Sequence, residues 1–216
     1  MKLFSSFETQ TDFFGHGLVK SSISFSPHEL KTMRRAQVRS LGRECAMRAV
    51  QRLSGTKPDS LERGASGAPE WPSHIVGSIT HSADYASALV GLSKEFRSIG
   101  IDSERIISLE RAQIVQKKVL TESERSLAER ISLEDFADFV TLVFSAKESI
   151  FKALHPLVKK MFWFDAVEIY QVNEASNRLE FKLTQDLNSE FKEGFSGLIS
   201  FHRLDKRLET AFWLTA

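Results

Sequence analysis

The order of periodicities along the chain constrains its fold more than any single motif does. One long helical segment leads into short strands, and the same succession then occurs again. Ser26-Pro27-His28-Glu29 announces the first helix, with a capping serine, a proline at the first helical position and a glutamate three residues after the cap. Leu30, Met33, Val38, Leu41, Cys45, Ala49 and Leu53 recur at helical spacing up to Gly55, which predicts a helix over residues 27–53. Gly55, Pro58, Gly64, Gly67, Pro69 and Pro72 make residues 54–73 a loop. Ile75–Thr80, Tyr85–Leu92 and Arg97–Asp102 read as strands. Residues 108–131 are charged and helical in pattern, and Ser132 to Asp135 caps a further helix that is expected to stop at Leu154, before Pro156. Ala166–Val172, Leu179–Thr184, Gly197–His202 and Thr210–Leu214 return to strand patterning. The first 25 residues are expected to add extended segments. The fold class is α+β, in two similar halves, residues 1–107 and 108–216.

Charge and cysteine content narrow the partners. The formal net charge of +1 gives the whole molecule no strong field for nucleic acid or an anionic membrane, so a charged partner must meet a local patch. The single Cys45 excludes an intramolecular disulfide and fits a reducing compartment, and its place on the apolar side of the first helix puts it in the core. The opening residues lack the apolar run of a secretory signal, and no stretch is apolar for long enough to span a bilayer. A cytoplasmic protein is expected.

Three stretches carry chemistry. In Ile99-Gly100-Ile101-Asp102-Ser103-Glu104, strand alternation turns Asp102 and Glu104 to one face and Ile99, Ile101 and Ser103 to the other. Adjacent carboxylates repel unless a cation or donor stands between them, and hard oxygen ligands suit Mg²⁺. A solvated strand end gives the same pattern. In Phe144-Ser145-Ala146-Lys147-Glu148-Ser149-Ile150-Phe151-Lys152, Glu148 and Lys152 share a helix face with Lys147 beside them. Glu148 could donate a third oxygen or accept a proton, and Lys152 could hold phosphate oxygens. An ordinary surface ion pair has the same spacing. In Gly77-Ser78-Ile79-Thr80-His81-Ser82, the histidine and its hydroxyl neighbours could donate to a phosphate, or the histidine could serve as a structural hydrogen-bonding group.

The order of these stretches is more specific than any one of them. Gly-Ser-Ile-Thr-His-Ser, then Ile-Gly-Ile-Asp-x-Glu, then Phe-Ser-Ala-Lys-Glu-Ser-x-x-Lys resembles the motif series of the Sfp-type 4′-phosphopantetheinyl transferases. Pro69-Glu70-Trp71-Pro72, upstream of them, resembles the subgroup that contains enterobactin synthase component D. The resemblance covers roughly residues 30–155. It implies the family fold, two halves in pseudo-twofold arrangement with the active site between them, acting as a monomer. It implies transfer of the phosphopantetheine arm of coenzyme A to a serine of an apo carrier protein, with release of 3′,5′-ADP. Asp102, Glu104 and Glu148 are then the Mg²⁺ ligands, and Glu148, Lys152 and His81 the catalytic groups. Thr80, His81, Lys147 and Lys152 are phosphate contacts on coenzyme A. Ser103 and Phe144 depart from the residues common in the family, an apolar residue and Trp respectively.

The first helix adds Lys31, Arg35, Arg39 and Arg43, four apart and nearly in line, with Arg34 nearby. Such a row repels itself unless an anion or solvent faces it. The resemblance implies the 3′-phosphate of coenzyme A or an acidic carrier surface as counter-charge, with Arg43, in Ser40-Leu41-Gly42-Arg43, best matched to the family and Arg35 and Arg39 beside it. Aryl and peptidyl carriers of siderophore synthesis are expected, with fatty-acid or polyketide acyl carriers as alternatives. A metal-dependent phosphate-ester hydrolase and a non-catalytic binding module are the competing readings.

Overall fold

The computed structural model describes residues 8–11, 17–26, 35–64, 67–82 and 84–216. It forms two compact units: Met1–Ile101 with Trp213–Ala216, and Asp102–Phe212. The division falls inside a strand, whereas the sequence places it in the loop at residues 107/108. The last four residues return to the first unit.

In the first unit, strands β1 (Glu8–Thr11), β2 (Val19–Ser24), β3 (Ile75–Ser82) and β4 (Tyr85–Leu92) make an antiparallel sheet in the order β1-β2-β4-β3. Helix α1 (Arg35–Ser54) packs on β2, β3 and β4. Its expected start, residues 27–34, lies outside the described residues, as do the side chains of Lys31, Arg34, Arg35 and Arg39. Cys45 and Ala46 join Ile23, Phe25, Leu61, Ala86 and Ala88 in one apolar cluster. Ala49 and Val50 join Val19, Ile75 and Val90 in another, and Trp71 packs against both. Cys45 is fully buried, as its position in the apolar stripe predicts, and burial pushes its thiol up to about 12. It stays protonated and takes no part in chemistry.

Two glycines set the approach of these layers. A Cβ on Gly42 would lie 2.9 Å from Ile79 of β3, so glycine lets α1 sit close to the strand that carries His81. A Cβ on Gly77 would meet the Leu89 carbonyl at 2.8 Å and the Trp71 ring at 2.9 Å. Trp71, from the Pro-Glu-Trp-Pro segment, is therefore a lid over the sheet, and only a residue without a side chain fits under it.

In the second unit the elements are longer or more broken than the periodicity predicts. Strand β5 (Phe96–Arg105) continues past the expected end at Asp102 and is buried from Ser98 to Ser103. The stretch expected as one helix over 108–131 is two, α2 (Leu109–Val119) and α3 (Glu122–Ala128). The break follows from local chemistry: Thr121 caps α3, and the Glu124 side chain returns to the Thr121 N–H, a reciprocal capping box. Helix α4 (Leu133–Val158) starts at the predicted Ser132 cap but runs through Pro156. Proline so near the end forfeits one backbone bond, and burial of Leu154 and Val158 around it holds the last turn until Lys159 ends the helix at φ 54°.

A short 3₁₀ turn (Phe164–Ala166) leads into β6 (Val167–Asn173), β7 (Arg178–Leu183), β8 (Ser196–Leu204) and β9 (Arg207–Thr215). The strand order is β5-β9-β8-β7-β6, with β6 to β9 a run of antiparallel neighbours. All four expected C-terminal strands are present, shifted by a few residues at their ends. Helix α4 is tied to β9 by Ser145 and Thr210, whose buried hydroxyls lie 2.9 Å apart. No helix among the described residues is long and apolar enough to cross a membrane.

Candidate active site

The end of β5 and the middle of α4 bring four charged side chains of the second unit into one electrostatic neighbourhood. Asp102 is buried, its side chain 5% exposed, and Lys152 Nζ donates to its Oδ1 at 2.7 Å. Glu148 lies one helical turn before Lys152 on the same face. The spacing that by itself fits a surface ion pair thus has a different partner: Lys152 bonds to Asp102 on a distant strand.

The carboxylates press on one another. Burial and the nearby Asp102 push the Glu104 carboxyl up to about 7, with Glu148 adding to the rise and Lys152 and Arg207 opposing it. Burial and Asp102 likewise raise Glu148, against the pull of Lys152. Among the described residues, no three His, Cys, Asp or Glu side chains already stand in an arrangement that could hold a metal ion. The donor set nevertheless fits a hard divalent cation. Asp102, Glu104 and Glu148 offer only oxygens, and their mutual repulsion is what such an ion would relieve.

This electrostatics has a consequence for stability. Glu104 binds a proton more tightly when folded than its ordinary value of 4.5, so its stabilising protonation is complete below about pH 4.5 and lost as pH rises through about 7. The metal-free protein is expected to lose stability between pH 5 and pH 8, and Glu104→Gln to remove much of that loss. The gain at pH 8 should be on the order of 1–3 kcal/mol, about 2–4 °C in Tm for each kcal/mol, with none at pH 5. Thermal melts of both proteins in chelator at the two pH values check this, and equal pH dependence contradicts it.

Beside Glu148 lies an apolar cavity of about 230 Å³, lined by Lys147, Glu148, Phe151, the segment Met161 to Phe164, and Val167. Phe162 is buried, whereas Met161 and Trp163 are exposed at 56% and 71%. Ring contacts of Phe151 with Phe162 (5.1 Å between centroids) and Phe144 with Phe164 (5.5 Å) hold this segment to α4. Phe144, the departure from Trp, is therefore packing.

Lys147 is not where the sequence reading places it. Its side chain is 1% exposed, and its ammonium donates to Val119 O at 2.9 Å, Glu124 Oε2 at 2.7 Å and Phe164 O at 3.0 Å. All three N–H bonds are taken inside the unit, which leaves none for a phosphate. Residues 147 and 148 are neighbours in sequence but about 100° apart around the helix, so the Lys147 ammonium turns to partners in the interior while Glu148 stands near Asp102 and Lys152.

In the first unit, His81 is exposed and Thr80 buried, on opposite faces of β3 as alternation requires. Arg43 on α1 is partly exposed. The sequence gives no sign of Arg207, a largely buried cation whose charge acts on Glu104 across a hundred residues of chain. Glu124 did have a signal, Thr-x-x-Glu, the capping-box pattern. The Met161-Phe162-Trp163-Phe164 run was the mark of the cavity wall.

The family model of the 4′-phosphopantetheinyl transferase superfamily matches residues 98–203, which include most of β5, all of α4 and the whole acidic constellation. A second model, the 4′-phosphopantetheinyl transferase N-terminal domain, matches residues 32–91. The chain belongs to this superfamily. It is similar to 4′-phosphopantetheinyl transferase Svp of Streptomyces mobaraensis, 37% identical over 59% of this chain and 51% of that protein. Enterobactin synthase component D of Salmonella typhi is 33% identical over 61% of this chain and 53% of the relative. The chain thus spans about half the length of the curated relatives it matches. Among solved structures, the holo-[acyl-carrier-protein] synthase of Thermotoga maritima aligns with a TM-score of 0.41 at 20% identity, over 54% of this chain and 61% of that one.

Proposed function

We propose that the protein transfers the 4′-phosphopantetheine arm of coenzyme A to a serine hydroxyl of an apo carrier protein. The observation that carries this reading is the coupled set Asp102, Glu104, Glu148 and Lys152, placed within the stretch that defines the superfamily. In the reaction the serine oxygen attacks the β-phosphorus of coenzyme A, the bond to the departing phosphate breaks, and 3′,5′-ADP leaves. No covalent enzyme intermediate is needed.

Asp102, Glu104 and Glu148 are the residues that would hold Mg²⁺, which when bound offsets the charge of the pyrophosphate. Glu148 accepts the serine proton, directly or through a water. Its carboxyl is raised by burial and by Asp102, which makes it a stronger proton acceptor than an ordinary carboxylate. Lys152 neutralises charge on the leaving phosphate. The apolar cavity beside Glu148 gives the unreactive length of the arm a dry surface to lie on. Of the first-unit residues, His81 and Arg43 have the exposure that a phosphate contact needs, whereas Thr80 is buried on the opposite face of β3 and is dropped from that role. The likeness to enterobactin synthase component D favours aryl and peptidyl carriers of siderophore synthesis as acceptors.

The reading is tested by incubating the protein with coenzyme A, Mg²⁺ and a panel of apo carriers and weighing the products. A carrier heavier by one phosphopantetheine supports it. Coenzyme A cleaved without any carrier indicates a hydrolase, and no reaction with the whole panel counts against transfer. For the 3′-phosphate, Arg43→Ala is expected to raise KM for coenzyme A roughly tenfold, the loss of one charge-assisted contact, with little change for the 3′-dephospho analogue. Equal effects on both substrates remove Arg43 from that role.

A further inference from the structure

Two buried charges in the second unit take no part in the chemistry above, although one adjoins the proposed base. The ammonium of Lys147 and the carboxylate of Glu124 are 1% and 0% exposed and 2.7 Å apart. We infer that Glu124 and Lys147 are positioning residues that hold the cavity wall in register with Glu148, an inference that rests on the transferase reading.

The bonds of the pair reach the end of α2, the cap of α3, the 3₁₀ turn and β6. Lys147 donates to Val119 O at the end of α2 and to Phe164 O in the 3₁₀ turn. Glu124 Oε2 accepts from the Thr121 N–H at 2.7 Å as well as from Lys147, and Oε1 accepts from the Ile169 N–H of β6 at 2.6 Å. One anchor is thus the residue next to Glu148, and two others, Phe164 O and the Ile169 N–H, bracket the segment from which Phe164 and Val167 line the same cavity.

The rest of that wall is held by ring contacts, which are attractive but weakly directional. Short charge-assisted bonds, from the carboxylate to α4 and β6 and from the ammonium to the end of α2 and the 3₁₀ turn, supply the direction that packing lacks. A buried ion pair contributes little net stability compared with apolar side chains of the same volume, so its distinct effect here is geometric. If the arm of coenzyme A lies along the wall, a displacement of about 1 Å moves the reacting phosphorus relative to Glu148, and such misplacements cost up to about a hundredfold in rate.

Glu124→Asp tests this, since it keeps the charge but shortens the reach by one methylene. The variant is expected to lose tenfold to a hundredfold in kcat with KM for coenzyme A changed by less than about threefold. Amide hydrogen exchange is expected to speed up over residues 162–169 and to stay unchanged in the middle of α4. The double variant Lys147→Met with Glu124→Gln removes both charges together, so neither is left buried alone. It is expected to keep wild-type circular dichroism while kcat stays at least about tenfold low. Wild-type kcat in Glu124→Asp, unchanged exchange over 162–169, or full kcat in the folded double variant overturns the inference. Failure of the wild-type protein to modify any carrier instead removes the transferase reading, and the exchange measurement still decides whether the pair holds the wall.

Discussion

Glu148→Gln is expected to leave the fold intact and to reduce phosphopantetheine transfer by about 10²–10⁴-fold, the range for loss of a positioned proton acceptor. The side chain keeps its size, so the α4 face and the cavity lining are preserved. The amide cannot take the serine proton, and it is a poorer ligand than a carboxylate for a divalent ion. Removing the charge also relieves Glu104, whose carboxyl Glu148 helps to raise, so the metal-free variant should melt no lower than the wild type at pH 8. Single-turnover transfer to one apo carrier and a thermal melt check both halves. Near-normal turnover at saturating Mg²⁺ excludes Glu148 as base and as ligand.

Asp102→Ala is expected to abolish transfer more completely while changing stability little. Asp102 meets every other member of the constellation: it bonds Lys152 and raises both Glu104 and Glu148. If Asp102 holds the metal as proposed, its loss removes several kcal/mol of transition-state stabilisation, about 10³-fold or more in rate. Two stability effects oppose each other. Lys152 loses a buried partner, but the two glutamates lose their nearest like charge. The expected melt lies within a few degrees of wild type, and the pH 5 to pH 8 loss of stability becomes smaller. An unchanged pH dependence contradicts the placement of Asp102 as the repelling neighbour, and retained transfer contradicts its placement at the metal.

Much of the fold was legible where local chemistry and burial agree. The apolar stripe through Leu41, Cys45, Ala49 and Leu53 became the buried side of α1, and the β3–β4 hairpin followed the period-two runs. Predicted ends failed where burial overrode a local rule or where a local cap overrode periodicity. Burial of Leu154 and Val158 carried α4 past Pro156, and the Thr121 cap cut in two what periodicity joined.

At the site, Asp102, Glu104, Glu148 and Lys152 were legible because alternation and the i,i+4 rule fix which side chains share a face. Which groups face each other across the fold is set by pairing of distant segments, and there the reading stopped. Lys147 is a phosphate contact only by the resemblance of its motif, which says nothing of where its side chain turns. Its partners Val119, Glu124 and Phe164 lie 17 to 28 residues away along the chain. Arg207 enters by the same route, from the start of β9.

Crystals grown with coenzyme A and Mn²⁺ in place of Mg²⁺ give the most direct measurement, since the ion is located by its anomalous signal. A single strong peak contacting Asp102, Glu104, Glu148 and the pyrophosphate together is the predicted result. A peak elsewhere, or one that any of the three carboxylates fails to touch, contradicts the account.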